Sequence, residues 1–104
     1  MRNNVKKETY RPLPNCLTIN GSAIDGLGLF ATCDLESGLC LGITHVSDER
    51  FEDGYIRTPL GGFFNHSDAP NCEAFTDDKF IKLKTTRDIS CGEELTARYW
   101  LYDL

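Results

Sequence analysis

Short apolar stretches alternate along the chain with glycine-containing or charged breaks, and almost no stretch is apolar at helical spacing. Cys16-Leu17-Thr18-Ile19-Asn20 alternates apolar and polar positions and runs into Gly21, which predicts a strand followed by a turn. Gly26-x-Gly28 then places pliant backbone directly before an apolar strand that ends near Ala31. A turn at Leu35-Glu36-Ser37-Gly38 leads into another short strand, Leu39-Cys40-Leu41-Gly42-Ile43-Thr44. Residues 47–55 are polar and charged; Phe51 and Tyr55 sit four apart and allow one helical turn, which Gly54 opposes. Glu73-Ala74-Phe75 and Phe80-Ile81-Lys82-Leu83-Lys84 flank Thr76-Asp77-Asp78-Lys79, a hairpin pattern. In its second arm Ile81 and Leu83 share one side and Lys82 and Lys84 the other, so one face is expected to be wet. A turn over residues 88–93 precedes a closing strand in which Leu95, Ala97 and Tyr99 share a face. The whole pattern predicts a mainly β domain.

Between these strands lies Gly61-Gly62-Phe63-Phe64-Asn65-His66-Ser67-Asp68-Ala69-Pro70-Asn71-Cys72. The two glycines allow a close backbone approach, the aromatics drive the segment inward, and Asn-His-Ser follows at once. Polar groups carried inward need partners, so this order suits either a buried polar site or a self-satisfied tight loop. His45 has no second ligand candidate nearby and reads as a surface or strand-end histidine. The pair Gly26-x-Gly28 lacks the third glycine and opening helix of a dinucleotide fingerprint.

With 104 residues, 40% hydrophobic and 26% charged, the chain is expected to form one domain with a modest core. Residues 1–14 are polar, basic and Pro-containing and read as an arm; residues 15–104 read as the domain. No apolar run is long enough to predict a membrane span. The net charge of -5 disfavours nucleic acid as a direct partner and suits attraction of a basic polypeptide. Five widely spaced cysteines without a C-x-x-C pair fit neither a disulfide framework nor a zinc cage. They read as reduced, mostly buried thiols, which implies an intracellular address and no metal.

Three segments in this order resemble the SET domain, the family of protein-lysine methyltransferases. They are Ser22-Ala23-Ile24-Asp25-Gly26-Leu27-Gly28-Leu29-Phe30-Ala31, Asn65-His66-Ser67-x-x-Pro70-Asn71-Cys72 and Gly92-Glu93-Glu94-Leu95-Thr96-x-x-Tyr99. The resemblance runs from about Leu17 to Tyr99. It implies a β-clip fold of small curved sheets in which the central and C-terminal segments interlace as a pseudoknot. It also implies that Gly26, Leu27 and Gly28 lie against S-adenosylmethionine, with Asn65 and His66 completing the pocket and Trp100 covering the adenine. Tyr99 matches the family's catalytic tyrosine, and Phe64, Ala97 and Thr44 fall where a lysine channel is expected. The implied substrate is an exposed lysine on a histone-like or other basic protein.

Departures from the family pattern bear on the details. Position 68 is Asp where zinc-binding relatives carry cysteine, so no zinc module after the domain is expected, and a homodimer is one way to complete the peptide groove. Ala97 replaces the more usual tyrosine or phenylalanine, Arg98 the usual aspartate, and Thr44 a channel tyrosine; these leave the product state open. A non-catalytic module that only binds peptide or cofactor is the alternative. A hydrolase is disfavoured, because Ser67 is adjacent to His66 and no G-x-S-x-G elbow exists.

Overall fold

The computed structural model describes residues 12–98. Eight strands and one short helix follow in order: β1 (Leu17–Gly21), β2 (Leu27–Ala31), β3 (Cys40–Ser47), β4 (Tyr55–Arg57), α1 (Pro59–Phe63), β5 (Asn65–His66), β6 (Cys72–Asp77), β7 (Phe80–Thr85) and β8 (Glu94–Ala97). They form two four-stranded sheets, ordered β1-β2-β8-β5 and β4-β3-β7-β6. The fold is mainly β, as the alternation predicts. No helix among the described residues is long and apolar enough to cross a membrane.

The β6–β7 hairpin follows the sequence pattern closely. Asp77 pairs with Phe80 across a two-residue turn, where Asp78 takes a positive φ of 56°, a region an aspartate tolerates. Ile81 and Leu83 are buried, while Lys82 and Lys84 reach Asp77 and Glu73 across the wet face. Strand β3 extends three residues beyond the expected Thr44. Two register shifts against β7 reshape it, one of them beside Gly42, whose φ of 135° suits only glycine. Residues 48–54 fold as a hydrogen-bonded turn rather than a helical one, closed by Asp48 N donating to Gly54 O.

Helix α1 does not emerge from the apolar pattern, because five residues are too few to show a period. Its start is nevertheless written in the residues. The Thr58 hydroxyl accepts from Gly61 N, and Pro59 occupies the first turn, where a missing N–H costs nothing. A side chain at Gly61 would overlap the Thr44 carbonyl, so the expected close approach occurs there. At Gly62 the nearest atom to a Cβ would be Arg57 Cδ at 3.6 Å, an ordinary van der Waals contact.

The core gathers Leu29 and Leu95 of one sheet, Leu83 of the other, Leu60 of α1 and the bridged pair Leu35 and Ile89, among others. Two sequence expectations are corrected here. Of the cysteines only Cys72 is buried; Cys33, Cys40 and Cys91 are exposed and Cys16 is intermediate. The exposed thiols sit just outside a strand, at a strand's first residue or in a turn, where backbone and not packing sets the position. Burial pushes the Cys72 thiol up to about 12, so it stays an inert hydrophobe. His45 is not at the surface. It is 2% exposed, packs edge-on against Tyr55 at 5.9 Å between ring centroids, and bonds through Nδ1 to Thr44 Oγ1 at 2.8 Å.

Candidate functional site

Strand β8 sits between β2 and β5. It runs antiparallel to β2, with Leu29 opposite Leu95 and Phe30 opposite Glu94, and parallel to β5, with Asn65 opposite Thr96 and His66 opposite Ala97. Asn71 grips the same strand from the loop beyond β5. Its Nδ2 donates to Glu94 O at 2.8 Å, and its Oδ1 accepts from Thr96 N at 2.8 Å. Arg98 then donates to Asp68 O at 2.9 Å. The C-terminal strand is thus held on one flank by β2 and on the other by residues 65–71, the local arrangement expected of interlaced segments. Tyr99 and Trp100 lie outside the described residues.

This insertion brings three distant segments to one point. The β1–β2 connection folds on itself, with Ser22 N donating to Gly26 O at 2.8 Å and Gly26 at a φ of 45°. Asn65 reaches beneath that loop. Its Nδ2 lies 2.7 Å from Glu94 Oε2, 3.0 Å from Ser22 Oγ, and 3.2 Å from both Asp25 O and Leu27 O. Gly28 completes the junction, since a Cβ there would overlap the Glu94 carboxylate and lie 3.2 Å from Asn65 Nδ2. The glycine is needed for clearance, not for its dihedrals.

Asn65 is 8% exposed, yet its Oδ1 has no hydrogen-bond partner among the described residues. No fully buried side-chain oxygen among the described residues lacks a partner, so that Oδ1 keeps some accessible surface. The carboxamide therefore commits its donors to the junction and leaves its one acceptor unpartnered among the described residues, near Leu27 at 54% exposure. Such an acceptor beside a carboxylate suits a ligand that carries positive charge. No group of three or more metal-ligating side chains occurs among the described residues.

The structure brings the expected Gly26, Leu27, Gly28 and Asn65 together: Leu27 O accepts from Asn65, Gly26 O from Ser22 N, and Gly28 leaves room for the Glu94 carboxylate. His66 is more open, pairs by register with Ala97, and has Nε2 3.2 Å from Asp68 Oδ1. Phe64 follows α1 and is buried, as is Ala97. Thr44 belongs to the other sheet and is fully buried; its hydroxyl donates to Ile81 O at 3.0 Å, and its carbonyl faces α1. Two participants were not singled out from sequence, Ser22 and Glu94. Both lie inside the quoted motifs, but 72 positions separate them, and no local pattern announces their contact.

Comparison with known proteins bears on this arrangement. The SET domain family profile matches residues 44–100, just over half of the chain. Over 61 residues the chain is 36% identical to the human histone-lysine N-methyltransferase SMYD3; the match takes in 59% of this chain but only 14% of that protein. Among solved structures, the methyltransferase domain of human PR domain-containing protein 2 superposes with a TM-score of 0.68 at 18% identity, covering 92% of this chain and 93% of that one. A humanised mutant of the Chaetomium thermophilum Polycomb Repressive Complex 2 gives 0.64 at 22% identity, covering 81% of this chain and 15% of that one. At these identities the structural likeness concerns the fold.

Proposed function

The chain belongs to the SET domain family, and on that premise we propose that it is a protein-lysine N-methyltransferase. In this reading it uses S-adenosylmethionine and acts on a flexible basic segment of a histone-like or other basic protein. The observation that carries the reading is the Asn65 carboxamide, fixed against the Ser22–Gly28 loop through Nδ2 and with Oδ1 left without a partner among the described residues. The same point carries a carboxylate, Glu94, that is paired with no cation among the described residues. Both features suit a ligand with ammonium and sulfonium charges.

When bound, S-adenosylmethionine supplies a methyl group on a positively charged sulfur. The chain's own residues then have separate tasks. Backbone at Gly26, Leu27 and Gly28 holds the ligand together with Asn65 and His66, and Trp100 covers its adenine. Thr44, Phe64 and Ala97 belong to the wall of the lysine channel, and the Tyr99 hydroxyl orients the amine. A free lysine titrates near ~10.4 and must lose its proton before it can act as a nucleophile. An apolar wall disfavours its charged form. Alignment of the reacting atoms lowers the barrier further, by up to about 7–11 kcal/mol in ideal intramolecular cases.

Incubation of the full chain with methyl-labelled S-adenosylmethionine and a panel of basic proteins, histones included, tests this. Label should enter a substrate lysine and be lost in Tyr99→Phe. Donor binding without transfer across the panel replaces the reading with a non-catalytic module. A chain that binds no donor overturns it altogether.

A further inference from the structure

Beyond its charge, the Glu94 carboxylate is placed to order the junction itself. The residue opens β8 opposite Phe30, and its side chain lies at the meeting of the Ser22–Gly28 loop with Asn65. Both carboxylate oxygens lie 2.8 Å from the Ser22 hydroxyl, and Oε2 accepts from Asn65 Nδ2 at 2.7 Å. Ser22 Oγ in turn accepts from the amides of Ile24 at 2.9 Å and Asp25 at 3.4 Å. One carboxylate therefore holds the loop and the carboxamide together.

An ionised carboxylate only accepts hydrogen bonds, so it dictates which end of Asn65 can face it. The neighbouring Asp25 and Leu27 carbonyls are acceptors as well and demand the same orientation. With Nδ2 so committed, Oδ1 has to point away from them. The flip of Asn65 is fixed by its surroundings.

We infer that Glu94 is a positioning residue for the ligand site. It locks the Asn65 carboxamide with Oδ1 toward the ligand, and through Ser22 it sets the height of the glycine loop above it. Its charge, paired with no cation among the described residues, adds to the attraction for a cation. The inference rests on the reading of this junction as the methyl-donor pocket and names what sets that pocket's shape.

Glu94→Gln tests it, because the near-isosteric amide turns one acceptor into a donor facing the NH2 group of Asn65 or the hydroxyl of Ser22. Calorimetric titration of the full chain with S-adenosylmethionine should give a Kd about tenfold higher, the scale of one lost charged hydrogen bond. In turnover the donor KM should rise by a similar factor, while kcat and the protein-substrate KM stay within about twofold. A loss spread evenly over all three constants, or an unchanged Kd, overturns the inference. A ligand-free measurement separates this from the proposed function. By NMR the Asn65 side-chain NH2 resonances should shift and exchange faster with solvent in Glu94→Gln, and unmoved resonances overturn the positioning role even if the wild-type chain binds no donor. Should Glu94→Gln not fold, Ser22→Ala breaks the same bridge; it should raise the donor Kd, and a wild-type Kd there counts against the inference.

Discussion

His45 shows how far one side chain's surroundings can depart from what its neighbours in sequence suggest. Flanked by Thr44 and Val46 in β3, it is covered by Tyr55 from β4, and its Nδ1–H donates to a Thr44 hydroxyl that itself donates to Ile81 O. Burial, and then the Arg57 guanidinium, hold the imidazole below its ordinary range, with Asp53 pulling the other way. In the unfolded chain the ring titrates near ~6.5, so on acidification the unfolded chain takes up the proton first. The stability tied to a neutral His45 is complete above about pH 6.5 and is lost as pH falls below it toward the folded value. Urea melts at pH 7.5 and pH 5.5 should show a lower midpoint at the acid end, and His45→Gln should reduce that difference. An equal acid loss in wild type and variant would place the titration elsewhere. At this scale the sequence marks Asn65 and Gly28 clearly, because glycines and a polar triplet beside aromatics are local signals. It is silent on Glu94, whose partner Ser22 lies 72 positions away, and on His45, whose cover comes from the next strand.

At the scale of elements, legibility follows the distance between partners. The β6–β7 hairpin is readable because both arms, the turn and the alternation lie within 14 residues, Cys72 to Thr85. The parallel pairing of β5 with β8 is not readable: two residues carry no period, and their partner lies some thirty positions on. What secures that pairing is Asn71, an amide used as a strand clamp. It supplies a donor to Glu94 O and an acceptor to Thr96 N, and its own amide donates to Thr96 Oγ1 at 3.3 Å. Asn71→Ala would leave the buried Thr96 N–H and the Glu94 carbonyl of β8 without their side-chain partner. Each such orphan costs about 1–3 kcal/mol, so a total loss of about 2–6 kcal/mol is expected by chemical denaturation. Asn71→Asp keeps the acceptor for Thr96 N but sets a carboxylate against Glu94 O, and should be no better than alanine. Wild-type stability in either variant would show that β2 alone holds the C-terminal strand.

Across the whole molecule, the ligand junction is assembled from residues 22–28, 65 and 94, which meet only when β8 lies between β2 and β5. Fold and site are therefore one cooperative unit. Removing the strand deletes Glu94 and also uncovers Leu29 and Asn65, which it covers now. A ligand bound only by the native chain stabilises it by about 2.7 kcal/mol at a hundred times its Kd. For a domain of this size each kcal/mol corresponds to roughly 4–8 °C in melting temperature. S-adenosylmethionine at that concentration should therefore raise the melting temperature of the intact chain by roughly 10–20 °C. A chain ending at Glu93 should show no ligand-dependent shift and no sharp transition of its own. If that shortened chain melted cooperatively and still responded to the donor, the loop over residues 22–28 would bind without β8. The junction described here would then be a consequence of packing rather than the source of the site.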